Sequence, residues 1–161
     1  MLTEHRQPVC LSWMSLNSPL WSVVEASAAL YEKEPGRYHV VLTEPLFMDY
    51  SEGETSADQA QQPHLLWLEI SPYRVIMTMQ GNGSISYRHF WEQGVYGISR
   101  YWLRSQSGDL GMSDQMRLRN YTRHLKLISD PQPRHLRVEY ELWTENLQLG
   151  HYVLNLEMQS L

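Results

Sequence analysis

Cysteine and long apolar runs are what this chain of 161 residues lacks most clearly. Its one cysteine, Cys10, has no partner for an intramolecular disulfide, which favours a reducing compartment. Every apolar stretch is far shorter than the ~20 residues that a membrane-spanning helix needs. The N-terminus carries Glu4, His5 and Arg6 without a long apolar run, so no signal peptide is visible. We therefore expect a cytoplasmic protein that does not enter a membrane.

Motifs that would indicate a particular chemistry are missing too. The seven histidines show no compact metal-ligand spacing, and Gly81-Asn82-Gly83 is typical of a turn rather than of a phosphate-binding loop. No motif couples a nucleophile to a base, and Cys10 is interpreted as structural. We predict no metal, no cofactor and no catalytic residue, and whether the protein is an enzyme stays open.

What the sequence does contain is a regular alternation of apolar and polar residues, which is clearest near the C-terminus. Because successive side chains of a strand point to opposite faces, this alternation predicts a β-hairpin. Keeping Tyr140 and Tyr152 on one face requires an odd-length loop centred on Asn146. That loop places Glu141 opposite His151. The alternating residues are Leu136, Val138, Tyr140, Leu142, Tyr152, Leu154, Leu156 and Met158.

Similar patterns predict strands along most of the chain, joined by short turns. About eight to ten strands with little helix indicate an all-β fold, a single barrel or sandwich domain over residues 1–161. A closed antiparallel barrel would remove the exposed edges of such a sheet. Pro45 has no amide donor, so its strand needs a bulge or an unpaired edge there. The predicted strands before the last one cover residues 8–16, 38–50, 65–70, 73–80, 84–91, 94–104 (a pair or one bent strand), 116–128 and 134–143.

Three segments depart from this pattern. In residues 20–34, Ala and Glu favour a helix while Trp21, Val23 and Val24 suit a strand, and propensity alone leans slightly to a helix. Residues 51–63 hold no large apolar residue and are rich in Ser, Gln, Glu and Asp, which predicts an exposed, flexible polar loop. Residues 105–113 are a second predicted loop.

A second hairpin surrounds Gly81-Asn82-Gly83. A three-residue loop with a left-handed glycine suits this sequence. It predicts that Met77 lies opposite Tyr87 and that Val75 lies opposite His89, all four on one face.

Five short stretches follow one another in an order typical of one protein family. They are Leu46–Glu52, Ile70–Gly81 followed by a strand with Phe90, Gly94–Tyr101, Thr122–Leu127, and Tyr140–Leu142 ahead of Leu149–Tyr152. Together they resemble the YwiB-like bacterial proteins, which have a calycin (lipocalin-like) β-barrel and no established activity. The resemblance implies a strand, not a helix, over residues 21–31. The family tends to place a basic residue before the glycine at Gly81, whereas this chain has Gln80.

The apolar row of the second hairpin would face the interior of such a barrel. There His89 would be an inward polar group among aromatic rings, able to orient a ligand by hydrogen bonding. The simpler alternative is a core or rim histidine that has merely found a partner. A small apolar or aromatic ligand is the partner that suits this interior. The candidate lining residues are Tyr73, Met77, Tyr87, His89, Trp91, Tyr140 and Tyr152.

Basic residues concentrate in one segment, although the net charge of -5 argues against nucleic acid as a general partner. Arginines on adjacent strands can hold carboxylate, phosphate or an RNA backbone, and Tyr121 and His124 can stack on bases. The alternative is a solvated outer face neutralised by Glu139 and Glu141. The candidate basic face comprises Arg117, Arg119, Arg123, Lys126, Arg134 and Arg137.

The six tryptophans are many for this length; they can line a cavity, fill the barrel or form an interface. Trp143, beside a turn on the polar face of its strand, is the best candidate for an interface, so a homo-oligomer stays open. Glu139 and Glu141 share a strand face and can in principle do acid–base work. They are interpreted as surface charges opposite Val153 and His151.

Three functions follow from these observations. The first is a non-enzymatic barrel that binds a small ligand or is filled by its own side chains. The second is an interaction protein that binds RNA or an acidic partner through the basic face. The third, with least support, is an enzyme of unknown reaction that uses His89 or a carboxylate. Fold alone does not choose among them.

Overall fold

The chain folds into a closed antiparallel β-barrel. A computed structural model describes residues 5–50, 65–81, 85–104 and 113–159, and within them each strand pairs with its neighbours in sequence. The last strand pairs with the first and closes the barrel. The ten strands are β1 (His5–Ser15), β2 (Trp21–Glu34), β3 (Arg37–Tyr50), β4 (Leu65–Ile70), β5 (Arg74–Gln80), β6 (Ile85–Glu92), β7 (Tyr96–Arg104), β8 (Ser113–Ser129), β9 (Pro133–Thr144) and β10 (Leu147–Met158).

This architecture confirms the predicted all-β barrel. The described residues contain no helix, and hence none suited to crossing a membrane. The segment predicted as one bent strand or a strand pair is the single strand β7. The predicted polar loop at 51–63, most of the predicted loop at 105–113 and residues 82–84 of the second turn lie outside the described residues.

β2 forms where local propensity leaned to a helix. Val24, Ala28 and Leu30 are buried at even spacing, and β2 pairs with β1 on one side and with β3 on the other. Differences in helix propensity among such residues amount to at most about 0.7 kcal/mol each, so two ladders of hydrogen bonds outweigh them. The strand implied by the family resemblance is confirmed.

β3 contains the bulge predicted at Pro45. Ser27 pairs with Thr43 while Glu25 pairs with Leu46, so one residue of β2 faces two of β3. Because proline cannot donate to a sheet ladder, the extra residue accommodates it without breaking the strand.

The register predicted for the β5–β6 hairpin is wrong by two residues. Met77 pairs with His89 instead of Tyr87, and the last pair joins Gln80 to Ser86, so the connection is longer than three residues. A shift of two returns every side chain to the same face. Alternation therefore cannot distinguish the two registers.

The register predicted for the β9–β10 hairpin is confirmed. Tyr140 pairs with Tyr152, and Glu141 pairs with His151. The predicted odd-length loop is wrong, however: a two-residue turn joins the strands, and a bulge at Leu149 then produces the predicted register.

The interior divides into an aliphatic half and an aromatic half. The aliphatic half is a packed cluster of buried side chains, while aromatic rings of β1, β6, β7, β9 and β10 occupy the other end. Side chains of the packed half with no exposed surface include Val40, Leu68, Val75, Leu136 and Leu156.

Candidate functional site

A cavity of about 400 Å³ lies at the aromatic end of the barrel. Strand pairing brings Trp13 of β1, Tyr87 of β6, Tyr101 of β7, Tyr140 of β9 and Tyr152 of β10 to this end. All five lie on the inward rows of their strands. The described lining is completed by Ser15, Leu20, Trp21, Ser22, His89 and Leu142.

Direct contacts hold the aromatic wall in place. Trp13 Nε1 donates a hydrogen bond of 2.6 Å to the hydroxyl of Tyr140, and the Tyr140 ring stacks on Tyr152 with 5.5 Å between centroids. The Tyr152 ring lies over Gly150, where a β-carbon would overlap it. Burial raises the pKa of Tyr101 and of Tyr140, so both phenols keep their protons at neutral pH.

Replacing Tyr140 with phenylalanine is expected to lower the free energy of unfolding by about 1–2 kcal/mol, because Trp13 Nε1 loses its acceptor. Urea denaturation of the two proteins measures the difference. Tyr121→Phe is the matched control, since the described structure shows no hydrogen bond to its hydroxyl. Equal stability of Tyr140→Phe and the wild type would show that the Trp13 bond contributes nothing.

His89 lies at the floor of the cavity and is 1% exposed. Its ring stacks on Trp91, with centroids 4.9 Å apart and planes within 6°. Burial away from water lowers the pKa of His89 to about 3, because the charged imidazolium would lose its hydration. At neutral pH His89 is therefore an uncharged hydrogen-bonding group.

The neighbours of His89 indicate which ring nitrogen carries the proton. Nδ1 lies 2.7 Å from Ser99 Oγ, and Asn120 Nδ2 donates to the same oxygen at 2.9 Å. Since a hydroxyl has one proton and Ser99 Oγ has no other described acceptor, the two contacts of this oxygen are both hydrogen bonds when Ser99 donates to Nδ1 and accepts from Asn120. This leaves the proton on Nε2, which has no partner among the described residues.

Asn120 also bridges the place where β6 and β7 separate. The β6–β7 pairing extends to His89 and Ser99. Beyond it, the backbone carbonyl of Phe90 accepts a 3.1 Å hydrogen bond from Asn120 Nδ2. The side chain of Asn120 thus takes the place of a backbone hydrogen bond to β6, and it also holds Ser99, the partner of His89.

Most of the predicted interior residues point inward. Met77, His89, Trp91 and Tyr140 are buried, and Tyr87 and Tyr152 are half-buried in the cavity wall. The prediction for Tyr73 is wrong. It lies in the β4–β5 turn and is 76% exposed, because the two-residue register shift leaves it without a partner on β6.

Sequence reasoning missed several residues of the site. Trp13 was recognisable from its alternation with Val9 and Leu11, but its partner Tyr140 is 127 residues away. Ser99 and Asn120 carried no signal, because polar residues in strands usually face the solvent.

The residues of the predicted basic face are all exposed, yet they do not form one patch. Arg117 and Lys126 are nine residues apart on β8, about 30 Å along a strand. Arg123 is paired with Glu141 at 3.0 Å, and Lys126 lies opposite Arg137. Arg134 is near the start of β9, which pairs with the end of β8, so it lies at the opposite end of the barrel from Arg117.

The two outward carboxylates of β9, Glu139 and Glu141, are both engaged in contacts with neighbouring side chains. Glu139 lies opposite Val153 in the register, as predicted, and contacts His151 Nε2 at 2.9 Å. Glu141 accepts a hydrogen bond from Trp143 Nε1 at 3.0 Å in addition to its pairing with Arg123. The interface role of Trp143 stays a prediction.

Cys10 lies on the outer side of β1 and is half-buried. Desolvation by burial, with Glu25 and Glu157 nearby, raises the pKa of its thiol, which disfavours the reactive thiolate. Among the described residues, no group of three His, Cys, Asp or Glu side chains is placed to bind a metal ion.

Comparison with known proteins gives one informative likeness. No protein-family model and no curated protein matches the sequence. Among solved structures, the chain is similar to the crystal structure of the YwiB protein from Bacillus subtilis, with a TM-score of 0.55 and 11% sequence identity. The match covers 98% of this chain and 96% of that chain. At this identity the likeness shows a shared fold: the chain has the barrel fold of the YwiB protein.

Proposed function

We propose that this protein is a non-enzymatic barrel that binds a small, neutral, aromatic ligand in the cavity. The supporting observation is the cavity itself, because about 400 Å³ falls within the ~300–1,000 Å³ typical of small-molecule sites. Its walls are mainly aromatic, and a few hydroxyl groups and one imidazole supply polar contacts.

The electrostatics of the lining narrow the class of ligand. None of the described lining residues carries a formal charge at neutral pH, since His89 is uncharged there. A carboxylate or phosphate would therefore lose its hydration without gaining a partner charge. A flat neutral molecule stacks on the tyrosine rings and accepts a hydrogen bond from His89 Nε2.

We also propose that the barrel is of the calycin type and acts in the bacterial cytoplasm. The fold shared with the YwiB protein supports the first point. The lone Cys10 supports a reducing compartment.

The proposal is tested with N-phenyl-1-naphthylamine, a neutral aromatic dye whose fluorescence rises in apolar surroundings. We expect saturable binding to the wild type. Ser22→Phe, which places a ring in the cavity, is expected to weaken binding by about tenfold or more, equivalent to about 1.4 kcal/mol. Ser22→Ala is the matched control and should bind like the wild type.

The pH dependence of the same titration gives a second readout. Because the pKa of His89 is about 3, dye affinity should not change between about pH 5 and pH 8. Absence of saturable binding, or equal affinity of Ser22→Phe and the wild type, would refute the proposal. Independently of the dye, native mass spectrometry of protein purified from its own host would identify any retained ligand.

A further inference from the structure

Three arginines stand side by side on the outer face of the barrel. Arg88 on β6 pairs with Arg100 on β7, which pairs with Arg117 on β8. Neighbouring strands are about 4.8 Å apart, and the adjacent residues in these strands, such as His89 and Ser99, are buried on the opposite side. The three side chains therefore share the outward face, where all are exposed. We call them the arginine row.

No acidic side chain among the described residues pairs with the arginine row. Among the described residues, none of its members forms an ion pair or a hydrogen bond. The flanking cross-strand rows are free of acids: they hold Ser86, Trp102 and Gln115 on one side, and Phe90, Ile98 and Arg119 on the other.

Like charges placed directly opposite each other destabilise a sheet. A row of three opposed arginines is thus kept at a cost to the folded state, and an anion that bridges it would remove that cost. By contrast, Arg119 is already engaged. It lies over the Tyr96 ring at 4.9 Å and donates to the carbonyl of Glu145 at 3.0 Å.

An aromatic ring adjoins the arginine row. Trp102 lies two residues from Arg100 on the same outward face of β7 and opposite Ser86. It is half-buried, and its ring has no aromatic partner among the described residues. A ring held at a sheet surface next to arginines can stack on an unpaired base while the guanidinium groups contact phosphates.

We propose that the outer face of β6, β7 and β8 binds single-stranded nucleic acid, with the arginine row on the phosphates and Trp102 stacked on a base. An acidic peptide would neutralise the arginines but would leave Trp102 unused, so nucleic acid accounts for more of the surface. Because the overall charge of -5 repels an anionic ligand in general, we expect binding at this face only. The site is separate from the cavity, which lies on the inner side of the same strands.

The test is fluorescence anisotropy with a labelled oligouridine and an oligothymidine of about twelve nucleotides, within the span of ~4–16 nucleotides typical of such sites. Three phosphate contacts predict a slope of log affinity against log salt of about -2. Changing all three arginines of the row to glutamine should weaken binding at least about tenfold and remove most of this slope. Tighter binding of one oligonucleotide identifies RNA or DNA as the preferred form.

The matched control removes the same number of charges elsewhere, with Lys126→Gln, Arg134→Gln and Arg137→Gln. It should keep the affinity within about twofold and keep the slope. The arginine-row variant should remain folded and melt about 2 °C higher than the wild type, because repulsion is relieved. If both triple variants lose affinity equally, binding reflects general charge and the proposal fails.

Trp102→Ala separates nucleic acid from an acidic peptide. Loss of a base stack should weaken oligouridine binding about tenfold and leave binding of polyglutamate unchanged. If Trp102→Ala changes neither, or if no oligonucleotide binds at low salt, the nucleic-acid site is refuted. Ser22→Phe should bind oligonucleotides normally, so a failure here is distinguishable from a failure of the cavity proposal.

Discussion

Acidification from pH 7 to pH 4 is expected to destabilise the wild-type barrel by about 3 kcal/mol more than a His89→Gln variant. The pKa of His89 is about 3 in the folded protein and about 6.5 in an unfolded chain. Between these values the unfolded state takes up a proton that the folded state does not bind. Stability therefore falls as the pH falls below 6.5, by about 1.4 kcal/mol per pH unit.

Urea denaturation at several pH values measures this effect. For each protein, the free energy of unfolding at pH 4 is compared with its own value at pH 7, so that any pH-independent effect of the substitution cancels. His124→Gln is the matched control, because His124 is exposed on β8. It should keep the wild-type pH dependence. If His89→Gln proves too unstable, NMR titration of the His89 ring in the wild type gives its pKa directly. A ring that titrates near 6.5 would contradict the buried, neutral imidazole.

Replacing Gly97 with alanine is expected to lower the free energy of unfolding by about 3 kcal/mol, the upper part of the range for overpacking. A β-carbon at this position would overlap the backbone carbonyl of Phe90 and come within 2.9 Å of Asn120 Oδ1. Neither neighbour can move freely. The carbonyl belongs to β6, and the Asn120 amide is bonded to that carbonyl and to Ser99.

The control for Gly97→Ala is Ile98→Ala, one residue further along β7 with a 40% exposed side chain. Its cost should stay below about 1 kcal/mol, the span of strand propensities. Because the Gly97 substitution disturbs the hydrogen bonds of Asn120, the NMR signals of the His89 ring should shift as well. Equal stability losses for the two variants would show that the close approach at Gly97 is unimportant.

The two predictions concern one structural unit. Gly97 lets Asn120 approach β6, Asn120 holds Ser99, and Ser99 orients His89. The floor of the cavity is therefore built from three strands, and damage at any one of them should alter it. This explains why a glycine remote from the aromatic wall matters for the cavity.

Alternation allowed the strands and the inward faces to be predicted, including those of His89, Trp91 and Tyr140. Alternation failed for Tyr73, which was predicted to lie opposite Trp91 in the interior. A register shift of two residues leaves the alternation unchanged, so the pattern could not show that Val75 takes this place and that Tyr73 lies beyond the strand. Sequence reasoning also grouped the basic residues of β8 and β9 into one predicted face. Arg117 in fact adjoins Arg88 and Arg100, which come from β6 and β7.

The sequence alone determines the fold class and the face of the sheet to which each side chain points. The two-residue period of a strand is a property of the extended backbone, whatever that strand pairs with. Which side chains meet is a different matter. Contacts such as Trp13 with Tyr140, or the three arginines in a row, depend on the register of each ladder and on closure of β10 onto β1. Those are set by packing between residues far apart in the chain, so the cavity and the arginine row became visible only in three dimensions.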